Sequence, residues 1–355
     1  MSAVPAVKEL RTELRSVPLP RPWGADVPSN HVVVCDVTLD DGRTGTGFAW
    51  TPQIGARAVK ALLDTDLREA LIGLPAHPEA VWDRLWRHLR EAGPGGITTI
   101  ALAGIDLALW DLRCGGLALP DALGRRRDEV PVYGSGVNLH YSLEELVEQA
   151  RRWVAAGCSG VKIKVGRPDL AEDVARVAAV REAIGPDRLL MIDANQRWDL
   201  HRARRAIGAL REFGLHWVEE PLPADDVAAH AELRRSIDVP VAVGENVYTV
   251  YGFRDLLTAG ACDVVQPNVV RVGGVTPFLR VVELARTFDV PVYPHLLAEV
   301  SGQLALALPL PAMVEDVEDA SFAALGLLDA PYPVEVSGGV LRAGGHAGLG
   351  LRWSR

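Results

Sequence analysis

The 355-residue chain is poor in cysteine. It has four, Cys35, Cys114, Cys158 and Cys262, scattered and without a CxxC pair. That excludes a disulfide-stapled scaffold and fits reduced, mostly buried thiols in a cytoplasmic protein. Positive charge is also in deficit, with a net charge of −9. A sequence-independent nucleic-acid binder or an anionic-membrane binder needs a basic face, so both classes are disfavoured. Long apolar runs are missing. The longest, LALALPLPAMV (Leu304–Val314), contains two prolines and falls short of a membrane span. The opening MSAVPAVKELRTELRS has no apolar core of signal-peptide length. Low-complexity and charged-tail segments are absent too.

What is present is ordinary for a soluble globular protein: 48 % apolar and 23 % charged residues. The length calls for two domains or one large barrel with additions. The first part, to about Leu123, is mixed. HVVVCDVTLDDGRTGTGFAW reads as two strands joined by an Asp-Asp-Gly turn, and Ala56 to Ala70, Pro78 to Glu91 and Ile97 to Arg113 have helical spacing. From Val130 short β-branched runs alternate with longer helical stretches. Eight runs qualify as strands: VPVYGS, GVKIKV, LLMIDAN, HWVEEP, VPVAVGEN, DVVQPN, VPVYPH and AMVEDV. Strands alternating with helices imply a parallel sheet, and eight such units imply a (β/α)8 barrel. The predicted fold is therefore α/β: a modified TIM barrel over 126–325, capped by an α+β domain over 1–125. The glycine-rich, β-like tail 326–355 is expected to return to the cap.

In a parallel barrel the C-terminal strand ends share one rim, where active sites sit. This rim carries Lys162, Lys164, Asp193, Glu219, Glu245, Asn268, His295 and Glu315. Asp193, Glu219 and Glu245 follow one another at steps of 26 residues, one βα unit each. Three converging carboxylates repel, and a hard divalent cation such as Mg2+ resolves the conflict. The triplet contains no His or Cys, which makes zinc a poorer fit. A lone acid after a strand is usually a helix cap. Three at unit spacing, beside a KxK and a histidine, argue against that. Lys162 and Lys164 alternate with Val161, Ile163 and Val165, so both point inward. His295 alone could be a capping residue, Glu315 alone a surface acid. Gly273-Gly274 could cradle a phosphate or simply serve a loop.

Taken in order, VKIKV, MIDANQRWD, WVEEPLP, VGENV, VVQPNVVRVGGV and YPHLLAE resemble the enolase superfamily, mandelate racemase subgroup. The glutamate in VGENV and the absence of lysine at position 268 point to that subgroup and away from the muconate-cycloisomerase one. The resemblance implies a Mg2+ triad at Asp193, Glu219 and Glu245, with Lys164 as base on one face of a carboxylate substrate and His295 on the other. It places Lys162 near the substrate carboxylate, lowering the pKa of Lys164, and Glu315 as an acidic hydrogen-bond donor to that carboxylate. Asn195 is a further candidate for substrate binding. The Pro-rich stretch Val17–Asn30 resembles the family's specificity loop, with Arg21 and Trp23 as candidate contacts. A homo-oligomer is implied as well.

Asn268 stands where the family usually has an aspartate paired with the histidine one unit on. Its amide oxygen could accept from Nδ1–H of His295 but brings no charge. His295 should therefore be mostly neutral near pH 7, unless another acid such as Glu299 substitutes. A weakened histidine disfavours racemisation, which needs two competent bases. The expected reaction is dehydration of an aldonate or aldarate to a 2-keto-3-deoxy acid. The alternatives are a racemase or epimerase and, from another class, a catalytically silent metal-binding relative.

Overall fold

The computed structural model describes residues 4–24 and 27–354. Two residues of the predicted specificity loop, 25 and 26, lie outside that range, as do 1–3 of the opening stretch. No helix among the described residues is long and apolar enough to cross a membrane.

Three antiparallel strands open the chain: β1 (Val7–Pro18), β2 (Ser29–Leu39) and β3 (Thr44–Thr51), in the order β1-β2-β3. The sequence predicts β2 and β3 with their turn, but no β1. VKELRTELRSVP carries charged side chains along its open side, as an edge strand does, and so lacks the apolar run that marks β2. The helix Ile97–Arg113 lies on this sheet and is buried on almost every side. The two meet at glycines, since a Cβ on Gly47 would stand 2.3 Å from the Gly104 carbonyl oxygen.

The barrel strands follow: β4 (Glu129–Ser135), β5 (Gly160–Lys164), β6 (Leu189–Asp193), β7 (Leu215–Glu219), β8 (Val241–Val243), β9 (Val264–Val265) and β10 (Val314–Val317). All neighbours are parallel, in the order β10-β4-β5-β6-β7-β8-β9. The predicted strand VPVYPH is reduced to a single bridge, Val265 to Val292. No ladder among the described residues joins that segment to β10. The sheet nevertheless curls into a barrel, because side chains from distant strands meet inside it. Tyr133, Met191, Trp217, Ala242, Val264 and Met313 form one buried cluster. Trp217 stacks on Tyr293 at 5.4 Å and meets Tyr133 edge-on at 5.6 Å. The chain is thus an α/β protein, a (β/α)8-type barrel with an α+β cap.

The tail divides, and the expectation that all of it returns to the cap needs correcting. β11 (Val334–Ser337) and β12 (Val340–Ala343) form a hairpin, and β12 pairs antiparallel with barrel strand β4. Only the end reaches the cap: Leu349 N–H donates to Asp111 and Trp353 packs on Phe48.

The Gly273-Gly274 pair serves the contact between cap and barrel. Asp106, on the cap helix, accepts from Thr276 N–H at the start of the barrel helix Val275–Arg286. Trp82 donates to the Gly273 carbonyl and Trp110 to the Thr276 hydroxyl, both at 2.9 Å. A Cβ on Gly274 would fall 2.3 Å from Asp106 Oδ2. The glycines let cap side chains approach barrel backbone, so no phosphate cradle is needed to explain them.

Candidate active site

The rim is built by strand alternation. Two residues beyond most inner-floor side chains stands a polar one: Met191 then Asp193, Trp217 then Glu219, Val264 then Gln266, Tyr293 then His295, Met313 then Glu315, with Ala242 then Gly244 the exception. A two-residue step keeps the same face and moves one layer toward the mouth. Apolar packing therefore forms the floor and chemistry sits directly above it.

Lys162 is buried at the centre. Its Nζ lies 2.7 Å from Glu219 Oε1, 2.7 Å from Glu315 Oε1 and 3.9 Å from Asp193 Oδ2. Burial works against its charge, but Glu219 and Glu315 outweigh that and hold its pKa well above the lysine range. Lys162 is not among the described residues that line the cavity at the mouth. In this arrangement Glu219 and Glu315 take up its ammonium. Lys164 does line that cavity and bonds Asp193. Burial and Lys162 push its pKa down, yet Asp193 wins and raises it. With Asp193 beside it and no cation bound, Lys164 is held in its charged form.

The acids divide. Burial pushes Glu219 up to about 8, against the pull of Lys162. Glu220 beside it is pushed up to about 8 by burial, Glu245 and Asp193. Burial also opposes ionisation of Glu245 and Glu315, but nearby cations prevail and hold both below the usual range. Glu315 accepts from Leu296 N–H at 3.1 Å.

A divalent cation fits these residues. Five carboxylates, Asp193, Glu219, Glu220, Glu245 and Glu315, face three fixed cations, Lys162, Lys164 and Arg271. With all five ionised the excess is two negative charges, which burial resists by raising Glu219 and Glu220 and which a cation would answer; the donors are hard oxygens. Ligand atoms of Glu219, Glu245 and His295 lie within 4.8 Å of one another. Asp193 stands outside that group, because its carboxylate is held by Lys164 and by Asn195 N–H at 2.8 Å.

On the opposite flank Asn268 meets His295, but not as predicted. Asn268 Oδ1 accepts from the Val270 and Arg271 N–H groups, both at 3.0 Å. That fixes the amide, so its Nδ2 faces His295 Nδ1 at 3.1 Å. Nδ1 must then be an acceptor and the ring proton sits on Nε2. Nε2 lies 3.3 Å from Glu245 and 3.7 Å from Glu315. Burial lowers the pKa of His295, partly offset by those two acids. Glu299 is no substitute for the missing aspartate: it accepts from Phe322 N–H.

The cavity at the mouth measures about 190 Å3 and is lined by Lys164, Asn195, Glu245, His295 and Glu315 among others. Trp23 reaches it from the cap. Arg21 does not: it pairs with Glu145 at 2.9 Å and lies 3.4 Å over the Tyr141 ring.

Two family profiles cover most of the chain. The profile described as "Mandelate racemase / muconate lactonizing enzyme, N-terminal domain" matches residues 14–126, and "Enolase C-terminal domain-like" matches 145–355. The chain belongs to the mandelate racemase/muconate lactonizing enzyme family. A 3,6-anhydro-alpha-L-galactonate cycloisomerase from Streptomyces coelicolor is 37 % identical over 313 residues, 85 % of this chain and 86 % of that one. A structure of a racemase from Streptomyces coelicolor with bound magnesium superposes with a TM-score of 0.92 at 34 % identity, over 98 % of this chain and 97 % of that one. An L-talarate dehydratase from a Polaromonas species, complexed with Mg and L-glucarate, gives 0.89 at 34 % identity, over 99 % and 95 %.

Within this mandelate racemase-like site, three residues were not singled out from the sequence. Glu220 is held by Asn246 and Gln196, its backbone in the left-handed region at φ 36°. The doublet in WVEEP was its one visible signal. Arg271 pairs with Glu245 at 3.0 Å and reaches Asn246. Gln266 donates to Glu219 at 2.8 Å. Neither carries a spacing signal, since both sit in a loop or strand that reads as apolar.

Proposed function

We propose that this protein is a Mg2+-dependent enzyme that removes the α-proton of an acid-sugar carboxylate and then eliminates the β-oxygen. The main reaction is dehydration to a 2-keto-3-deoxy acid. The observation that carries this reading is the asymmetry of the mouth, with an amine on one flank and an Nε2–H imidazole on the other. The relatives named above include a dehydratase and a cycloisomerase, which supports the class of reaction.

Asp193, Glu219 and Glu245 would hold the cation, which acts as a Lewis acid toward the charge that develops on the substrate carboxylate. Once Asp193 is so committed, Lys164 retains two influences that favour its neutral amine, burial and Lys162. Lys164 then takes the α-proton as base. The C–H electron pair becomes the new C=C bond, and the C3–O pair leaves with oxygen. The Lys164 ammonium returns its proton to that oxygen, which departs as water. His295 donates a hydrogen bond from Nε2–H and assists departure. It needs no change of protonation, which suits a buried ring held by an amide.

Racemisation would require His295 to accept a proton at Nε2, where it already carries one. A catalytically silent relative would show a damaged acid set, and this one is complete. Cycloisomerisation is the second reading, favoured by the cycloisomerase relative. It needs the same base and differs only in that the leaving oxygen belongs to a ring and stays attached.

The test is incubation with Mg2+ and pooled mono- and diacid sugars in D2O, read by mass spectrometry. Loss of water from one component is expected. A one-dalton gain without water loss would shift the assignment to a racemase, an epimerase or, where the component is an anhydro sugar acid, the cycloisomerase. Water loss that persists at full rate in Lys164→Ala would remove Lys164 from the base role.

A further inference from the structure

The cavity has two unlike walls. The barrel wall carries the charges, among them Lys164, Glu245, His295 and Glu315. The cap wall is formed by Trp23, Val27, Trp50, Pro52 and Gln53. Trp23 and Trp50 meet edge to face at 6.5 Å, so the cap presents aromatic surface to the mouth. Its one polar side chain, Gln53, is neutral. The α-carbon and carboxylate of a substrate must lie against the barrel wall, within reach of Lys164. The far end of the substrate therefore meets the cap.

Among the described residues lining the cavity the only cations are Lys164 and Arg271. Lys164 is the base. Arg271 lies 5.9 Å over the Trp50 ring, but its charge is already paired: Nη1 donates to the Glu245 backbone oxygen at 3.2 Å, to Glu245 Oε1 at 3.0 Å and to Asn246 Oδ1. Arg21, the other cation of the cap loop, is engaged with Glu145 and Tyr141, away from the cavity. The two loop positions outside the description are Ala25 and Asp26, and neither is a cation. A second carboxylate on the far end would be buried against tryptophan with no cation but Arg271, for which it would compete with Glu245. Burying an unpaired carboxylate is costly. The cavity is also small, about 190 Å3 against roughly 300–1,000 Å3 for typical small-molecule sites.

We infer that the substrate is a compact monocarboxylate acid sugar, an aldonate whose cap-facing end is uncharged and presents a deoxy, anhydro or otherwise apolar face to Trp50, and not an aldarate. The inference rests on the acid-sugar reading above and narrows it.

Binding to Lys164→Ala protein with Mg2+ tests it without turnover. Each aldonate is titrated by calorimetry beside the aldarate of the same configuration, galactonate against galactarate for instance, together with 3,6-anhydrogalactonate. Among pairs that bind, the monoacid is expected to bind at least tenfold tighter. Gln53→Arg, which places a cation on the cap wall, should narrow that ratio tenfold or more. A diacid that binds as tightly as its monoacid partner would overturn the inference and leave the reaction assignment intact. No binding by any pair would overturn the inference together with the acid-sugar reading. Trp50→Ala separates wall from charge. It should weaken the anhydro monoacid more than the open-chain one, and equal weakening would overturn the apolar-face part.

Discussion

The two flanks of the barrel mouth are held by different physics. On the β5–β7 flank, Lys162 and Lys164 lie among Asp193, Glu219 and Glu315, and every group is charged or poised to be. On the β9 flank, a neutral amide holds a neutral ring. Both flanks are buried. The first can exchange charge with a substrate or a cation. The second can only donate. On the proposed mechanism, an amide in place of a carboxylate leaves the mouth with one proton acceptor, Lys164, where two would otherwise stand.

The largest expected effect comes from removing that acceptor. Lys164→Ala should cost roughly 10⁴-fold in kcat, the upper end for a general base, with the fold retained by circular dichroism. Next, Lys162→Met leaves Glu219 and Glu315 buried without their shared partner. The metal-free protein should lose about 3–5 kcal/mol in denaturant unfolding. A loss under 1 kcal/mol would mean that the first flank is not charge-balanced through Lys162.

The second flank should be less sensitive. His295→Asn removes a donor and should lower kcat by about 10²-fold, at the low end for one transition-state donor. If it matches Lys164→Ala, the flanks are equivalent and the asymmetry fails. Asn268→Asp sharpens the comparison from the other side. It should raise the pKa of His295 by about 1–3 and move the ring proton to Nδ1, read from imidazole 15N shifts. In the unaltered protein those shifts should show Nδ1 unprotonated.

The smallest effect is on pH dependence. Metal-free, Glu219 and Glu220 are pushed to about 8 from an ordinary 4.5. Between those values the folded protein binds protons that the unfolded chain has released, so its stability should fall as pH rises from about 4.5 through about 8. Glu245 and Glu315, held low, act oppositely and contribute stability that is lost below about 4.5. A cation that compensates the buried acids removes the alkaline penalty. The gain in Tm on adding Mg2+ should be larger at pH 8 than at pH 6, by differential scanning fluorimetry.

Much of this was legible in the residue order. Alternation within GVKIKV placed both lysines on one face, and 26-residue spacing placed Asp193, Glu219 and Glu245 on one rim. β1 was not legible, because an edge strand keeps its charges and shows no apolar run. Nor was the reduction of VPVYPH to one bridge, since local apolar character says nothing about which neighbour completes a ladder.

The sequence by itself determined the strand–helix alternation, the apolar floor and the polar ring two residues above it. These follow from local periodicity, which the chain carries at every strand without reference to distant parts. Tertiary structure alone decided how buried polar groups share their hydrogen bonds. Asn268 turns its oxygen to Val270 and Arg271 and its nitrogen to His295; Lys162 is shared by Glu219 and Glu315; Arg21 is taken by Glu145 and Tyr141. Each of these side chains has several partners within reach, and only the packed neighbourhood selects which of them it bonds.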